Sequence, residues 1–177
     1  MNTTYREEEK DAEDLFRKIA FVMLLFLGLG MLSPDSRAGY SALGQPAPPF
    51  ELKSGQNQKL TLEMILGKVV VLFYETRQVV DKNDELKDEL TRLYQDQPEN
   101  VQKEIFRLVV IDCSPATLPT QAIWKHKLAQ HSLALGFTIY GDWNRKMLLD
   151  YRMEKNDSNF LIIDKNGIIR YSSTGKI

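Results

Sequence analysis

The chain has 177 residues, 43% hydrophobic and 27% charged, with 23 Lys and Arg against 24 Asp and Glu. That length supports one domain with a substantial core, and the near-zero net charge excludes the broad basic surface that nucleic-acid binding needs. A single cysteine excludes an intramolecular disulfide, and with two histidines it leaves little from which to build a metal site.

Ile19 to Leu32 is an uninterrupted apolar run preceded by Arg17-Lys18. It is shorter than the roughly 20 residues of a bilayer-spanning helix and fits the roughly 7–15 of a signal peptide's apolar region. Ser33-Pro34 stops a helix, and Ser36-Arg37-Ala38 has the small-bulky-small order that signal peptidase reads. The pattern predicts a signal peptide over residues 1–38, cut after Ala38. The opposing feature is acidity: residues 1–18 carry six acidic and four basic side chains, and only Arg17-Lys18 has the sign for cytoplasmic retention. An uncleaved N-terminal anchor is the alternative. Both place the following domain in a periplasmic or other extracytoplasmic compartment, touching membrane only through the N-terminal segment if it is not cleaved. No cysteine follows the run, which excludes a lipid anchor.

Residues 39–49 read as a linker, extended by Pro46, Pro48 and Pro49, and the domain as residues 50–177. A short strand is expected at Phe50-Glu51-Leu52, then a polar turn over Ser54 to Gln58. Leu60 to Leu66 reads as one helical turn, with Leu62, Ile65 and Leu66 inward and Gly67 closing it. Val69 to Tyr74, apolar and rich in β-branched residues, is what a strand buried on both faces requires. Asp81 can cap a helix running to about Gln95, with Leu86, Leu90, Leu93 and Tyr94 at helical spacing and an Asp88–Arg92 pair. Pro98 and Asn100 end it. A second buried strand spans Phe106 to Asp112.

A helix from about Thr120 to Ser132 follows, carrying Ile123, Trp124, Leu128 and the Lys127 stem inward. Phe137 to Tyr140 is a short strand, and Asn144 to Tyr151 a short helix with Met147, Leu148 and Tyr151 on one side. Phe160 to Ile163 and Ile168 to Tyr171 form an antiparallel hairpin around Asp164-Lys165-Asn166-Gly167. Alternating strands and helices imply a three-layer α/β/α sandwich whose mixed sheet is parallel at its centre.

Three stretches carry a family likeness. Leu43-Gly44-Gln45-Pro46-Ala47-Pro48-Pro49-Phe50-Glu51-Leu52, Gly67 to Tyr74 and Phe160 to Tyr171 resemble, in order and spacing, the redoxin (AhpC/TSA-like) branch of thioredoxin-fold proteins over about residues 43–173. The resemblance implies a thioredoxin-like fold. Thioredoxin-like reductases carry Cys-x-x-Cys just after the strand beginning at Gly67, where a helix N-terminus lowers the thiol pKa. Here those positions fall near Val79 and Lys82, in a loop without sulfur, so dithiol chemistry is absent. The family's cis-proline position holds Ser158. A peroxiredoxin's Pro-x-x-x-Thr/Ser-x-x-Cys loop and a copper chaperone's Cys-x-x-x-Cys are also missing. Arg77, Lys82-Asn83 and Ser158 are similar to features of predicted periplasmic proteins of the YtfJ type.

Cys113 remains the one candidate catalytic residue, at the carboxyl end of a parallel strand where open α/β sheets place sites. The competing reading is a small inert core side chain. His126 and His131, five apart, do not share a helix face, so no metal is expected, and no motif implies a cofactor. Asp81 to Glu85 reads as the polar start of a helix, and Trp124 and Trp143 as core or rim residues. Arg77 and Ser158 are candidate loop and groove contacts. Thioredoxin folds end in a helix over the hairpin, which is missing after Tyr171. An uncovered hairpin face is therefore expected to receive another protein or a second copy. The sequence thus reads as an exported thioredoxin-fold protein without a dithiol site, a non-redox binding or accessory module of the cell envelope. The alternative is a single-cysteine thiol oxidoreductase or peroxidase using Cys113.

Overall fold

The computed structural model describes residues 43–177; the expected signal peptide, its cleavage site and the anchor alternative lie outside the described residues. Seven strands form one sheet in the order β2-β1-β5-β4-β3-β6-β7. They are β1 (Glu51–Ser54), β2 (Lys59–Thr61), β3 (Val69–Glu75), β4 (Ile105–Asp112), β5 (Ile139–Asp142), β6 (Asn159–Ile163) and β7 (Ile169–Thr174). The helices are α1 (Asp84–Gln95), α2 (Glu99–Lys103), α3 (Leu118–Leu135) and α4 (Lys146–Asp150). The central trio β5-β4-β3 is parallel, and every other neighbour pair is antiparallel. This is the expected mixed sheet of a thioredoxin-like α/β fold.

Period-two alternation sorts the two cores. Val70, Leu72 and Tyr74 of β3 share a face with Leu108, Val110, Leu161 and Ile163, closed by Phe50, Met147, Leu148 and Tyr151. Leu72, Leu108 and Leu161 are sealed from solvent, each contributing about 1.5–3 kcal/mol. The other face is smaller: Ile111, Cys113 and Ile139 pack with Leu128 of α3, rimmed by Val80, Val109, Trp124, Phe137 and Trp143.

Several local expectations need correction. Leu60 to Leu66 is not one helical turn: Lys59–Thr61 pairs with β1, Leu60 facing Leu52, before a 3-10 turn at Glu63–Ile65. Leu60 and Leu62 are buried at strand spacing, whereas Leu66 is exposed. Helix α1 starts at Asp84 behind Asn83 rather than at Asp81, with no side-chain capping bond. Arg92 pairs with Glu89 and Asp96, not Asp88, and Pro98, which ends α1's run as expected, is followed directly by the short helix α2 containing Asn100. Helix α3 begins earlier than expected because Pro119 fits its first turn. Ile123 points outward, and Lys125 rather than Lys127 takes the half-buried position.

The chain turns at Gly44 (φ +77°) and is bonded to the hairpin on either side of Pro46: the Gly44 amide donates to the Ile169 carbonyl at 2.9 Å and the Ala47 amide to the Gly167 carbonyl at 2.8 Å. Gly167 turns the hairpin at φ +77°, a conformation glycine adopts without a Cβ penalty. Among the described residues no helix follows β7. On the α1 side of the hairpin, Phe160 stacks on Phe73 at 4.7 Å between centroids, and Tyr171 tilts against Phe160 at 5.6 Å.

Candidate functional site

Strand β3 ends in Glu75, and residues 76–83 turn the chain into α1. The Glu75 side chain is only 1% exposed. Its Oε1 accepts the Ser158 hydroxyl at 2.7 Å, and its Oε2 accepts the Lys87 ammonium at 2.9 Å. Lys87 also donates to the Val80 carbonyl, holding the loop to the helix. Ser158 accepts from Asn83 Nδ2 at 2.9 Å; that amide also donates to the Gly175 carbonyl at 2.8 Å, and Asn83 Oδ1 accepts the Ile177 amide at 2.9 Å. Beside them, Lys82 meets Asp157 at 2.6 Å.

Burial pushes the Glu75 carboxyl above its ordinary range, opposed by hydrogen bonds from Lys87 and Ser158. The network joins β3, α1, β6 and the C-terminal residues. With Ser158 fully buried and both Glu75 oxygens engaged, it acts as a clasp rather than an open site.

A second polar cluster lies on the opposite sheet face, at the same carboxyl edge. Asp112 and Asp142 are register partners on β4 and β5, both buried. Asp112 accepts from the Ser114 hydroxyl at 2.6 Å and amide at 3.0 Å, and pairs with Arg145 at 3.2 Å. Asp142 accepts the Tyr74 hydroxyl at 3.1 Å and the Leu148 amide at 3.2 Å. Burial raises both the Asp142 carboxyl and the Tyr74 phenol above their ordinary ranges.

Cys113 points the other way, 1% exposed. Its sulfur packs so closely over Gly141 that a Cβ there would lie 2.9 Å from it. Burial first, then the charges of Asp112 and Asp142, push its thiol up to about 12. The thiolate that attack on a disulfide or peroxide requires is therefore suppressed.

The family model of AhpC/TSA matches residues 43–172, nearly the whole described region. The chain belongs to the AhpC/TSA family. Among solved structures, this AhpC/TSA chain is similar to a thiol-disulfide oxidoreductase from Bacteroides fragilis NCTC 9343 (18% identity, 72% of this chain and 89% of that one, TM-score 0.54). It is also similar to the pneumococcal exposed lipoprotein thioredoxin Etrx1 from Streptococcus pneumoniae strain TIGR4 (18%, 73% and 91%, 0.52). A third is the thiol peroxidase from Chromobacterium violaceum (13%, 76% and 77%, 0.51). At these identities the likeness is one of fold. No curated protein matches the sequence.

Within this AhpC/TSA framework the candidate residues fall in three places. Arg77 is exposed in the loop after β3, its guanidinium 5.1 Å from the centre of the Trp124 ring. Ser158 lies inside the clasp and is shielded from the loop surface. Cys113 sits in the smaller core. His126 and His131 are exposed on α3, and no group of three or more metal-ligating side chains occurs among the described residues.

Trp143 is half-buried, its indole donating to the Lys53 carbonyl at 3.0 Å. Sequence reasoning missed Glu75, Lys87, Asp112, Asp142 and Arg145. One signal was available: Lys87 interrupts the inward stripe of Leu86, Leu90 and Tyr94, and a charge on a core-facing position calls for a buried partner.

Proposed function

We propose that this AhpC/TSA chain is an exported, non-redox member of its family, serving as a binding or accessory module of the cell envelope. The observation that carries the reading is what stands at the relatives' reactive position: a closed Glu75–Lys87–Ser158–Asn83 network, with no sulfur between Thr76 and Asn83. The burial and raised pKa of Cys113 argue against the single-cysteine alternative. An extracytoplasmic setting draws support from the apolar run at Ile19 to Leu32 and from the exposed-lipoprotein description of one structural neighbour. The partner is another protein or a second copy. Its candidate contacts are the half-buried Tyr171, which tilts against the buried Phe160 on the hairpin, and the exposed Arg77.

The test uses the full chain in two assays, dithiol-driven reduction of a protein disulfide and consumption of hydrogen peroxide, each beside Cys113→Ser. Both proteins are expected at the no-enzyme rate. Turnover that disappears with the cysteine overturns the non-redox reading. Osmotic-shock and membrane fractions of expressing cells are expected to contain the chain, and a wholly cytosolic pool overturns export.

A further inference from the structure

Helix α3 has two apolar sides. Leu128, with Trp124 and Lys125 half-buried beside it, packs toward the sheet. On the outward side stand Ile123 and Leu133, 56% and 75% exposed, and the first turn adds Leu118 at 87%. At 1.5 Å per residue, Ile123 and Leu133 lie about 15 Å apart along one stripe. Gln130 and His126 fall between them.

The charge around this stripe has one sign. From Cys113 to Gly141 the chain contains no Asp or Glu, while α3 holds Lys125, Lys127 and both histidines of the protein. Arg77 stacks on Trp124 at the helix flank. Helix α1 is different, its exposed residues carrying both signs in paired positions.

We propose that the outer face of α3 lies against an anionic lipid surface. Leu118, Ile123 and Leu133 would enter the boundary between headgroups and acyl chains, with Lys127 and Arg77 facing phosphates. The stripe is convex, as the outside of a helix must be, and a bilayer surface accommodates that shape. His126 and Gln130, set between the aliphatics, lie at the boundary itself, with their polar ends reaching up to the headgroups. In an apolar protein groove they would be buried without partners. The assignment goes beyond the envelope-module reading and does not depend on whether the leader is cut.

The experiment reads α3 itself, so that attachment through the N-terminal run does not obscure it. Nitroxide is placed on the full chain at Gln130→Cys in a Cys113→Ser background, with Lys146→Cys on α4, across the sheet, as control. On vesicles containing phosphatidylglycerol, the label at 130 is expected to gain oxygen over nickel accessibility, and the label at 146 to stay as in water. Pure phosphatidylcholine is expected to give no gain at 130. The pair Ile123→Asp and Leu133→Asp, both exposed and so expected to leave the circular dichroism unchanged, should abolish the gain. Lys127→Glu should weaken vesicle affinity at least about fivefold. A water-like label at 130 on anionic vesicles overturns the proposal. So does shielding from oxygen and nickel alike, which reports a protein surface instead.

Discussion

Ser158 and Glu75 stand 83 positions apart and share a hydroxyl-to-carboxylate hydrogen bond of 2.7 Å, one link in a clasp that Lys87 and Asn83 complete. The bond fastens the residue before β6 to the end of β3 and buries a carboxylate at the start of the loop that leads into α1. Its consequences are energetic and can be measured on the folded chain.

Removing Lys87 leaves Glu75 buried with one hydroxyl for company. Lys87→Met is expected to cost about 3 kcal/mol, at the low end for a broken buried pair because the ammonium keeps some water. Glu75→Gln combined with Lys87→Met should recover most of it, since no uncompensated charge remains. Urea unfolding of the three proteins checks both statements; equal losses in the single and double variants would show that the pair is not coupled.

Burial raises the Glu75 and Asp142 carboxyls above their ordinary values of 4.5 and 3.8. Between the ordinary and the raised value the folded state holds the extra proton. Each group's contribution to stability therefore falls as pH rises through that window and is flat above it. Glu51, Glu89 and Glu104 are shifted downward by exposed lysine or arginine partners and act in the opposite sense, weakly because water screens them. The stability profile of the wild type minus that of Glu75→Gln, from about pH 3 to 8, isolates the clasp. It is expected to decline with rising pH, and a rising difference contradicts the assigned direction.

Thr76 follows Glu75 with its hydroxyl buried and without a hydrogen-bond partner. Thr76→Val keeps the shape and removes the unsatisfied group, so it should stabilise by about 1 kcal/mol. A loss of stability in thermal or urea unfolding would reveal a partner for that oxygen.

Gly55 and Gly141 admit no side chain for reasons of space. A Cβ at Gly55 would meet the α3 backbone, lying 2.6 Å from the Ala129 nitrogen, whereas one at Gly141 would press on the Cys113 sulfur and the Trp143 ring. Backbone cannot yield as side chains do. Gly55→Ala is expected to cost about 3 kcal/mol and Gly141→Ala about 1–2 kcal/mol, in that order in urea titrations.

Cys113 offers a kinetic check. With the thiol sealed and its pKa pushed up to about 12, labelling by an aromatic disulfide reagent at neutral pH should proceed only as fast as the protein opens. The rate should be independent of reagent concentration once reagent is in excess. A rate that climbs in proportion to reagent would mean a reachable thiolate.

The sequence by itself determined the alternation of strands and helices, the parallel centre and the hairpin turn at Gly167, because these follow from local periodicity and backbone freedom. It also determined that no dithiol could form, which is a matter of counting sulfur. Only the tertiary structure decided that Leu60 belongs to a strand, because a three-residue segment takes its conformation from the partner it bonds to. Ile123 faces water for a similar reason: α3 is apolar on both sides, so its spacing does not say which side meets the sheet. Lys87 on a core-facing position signals that a buried partner exists, but which residues complete the clasp, and the Asp112–Asp142 pair, were out of reach, since burial and long-range hydrogen bonds join residues whose separation in sequence carries no periodic trace.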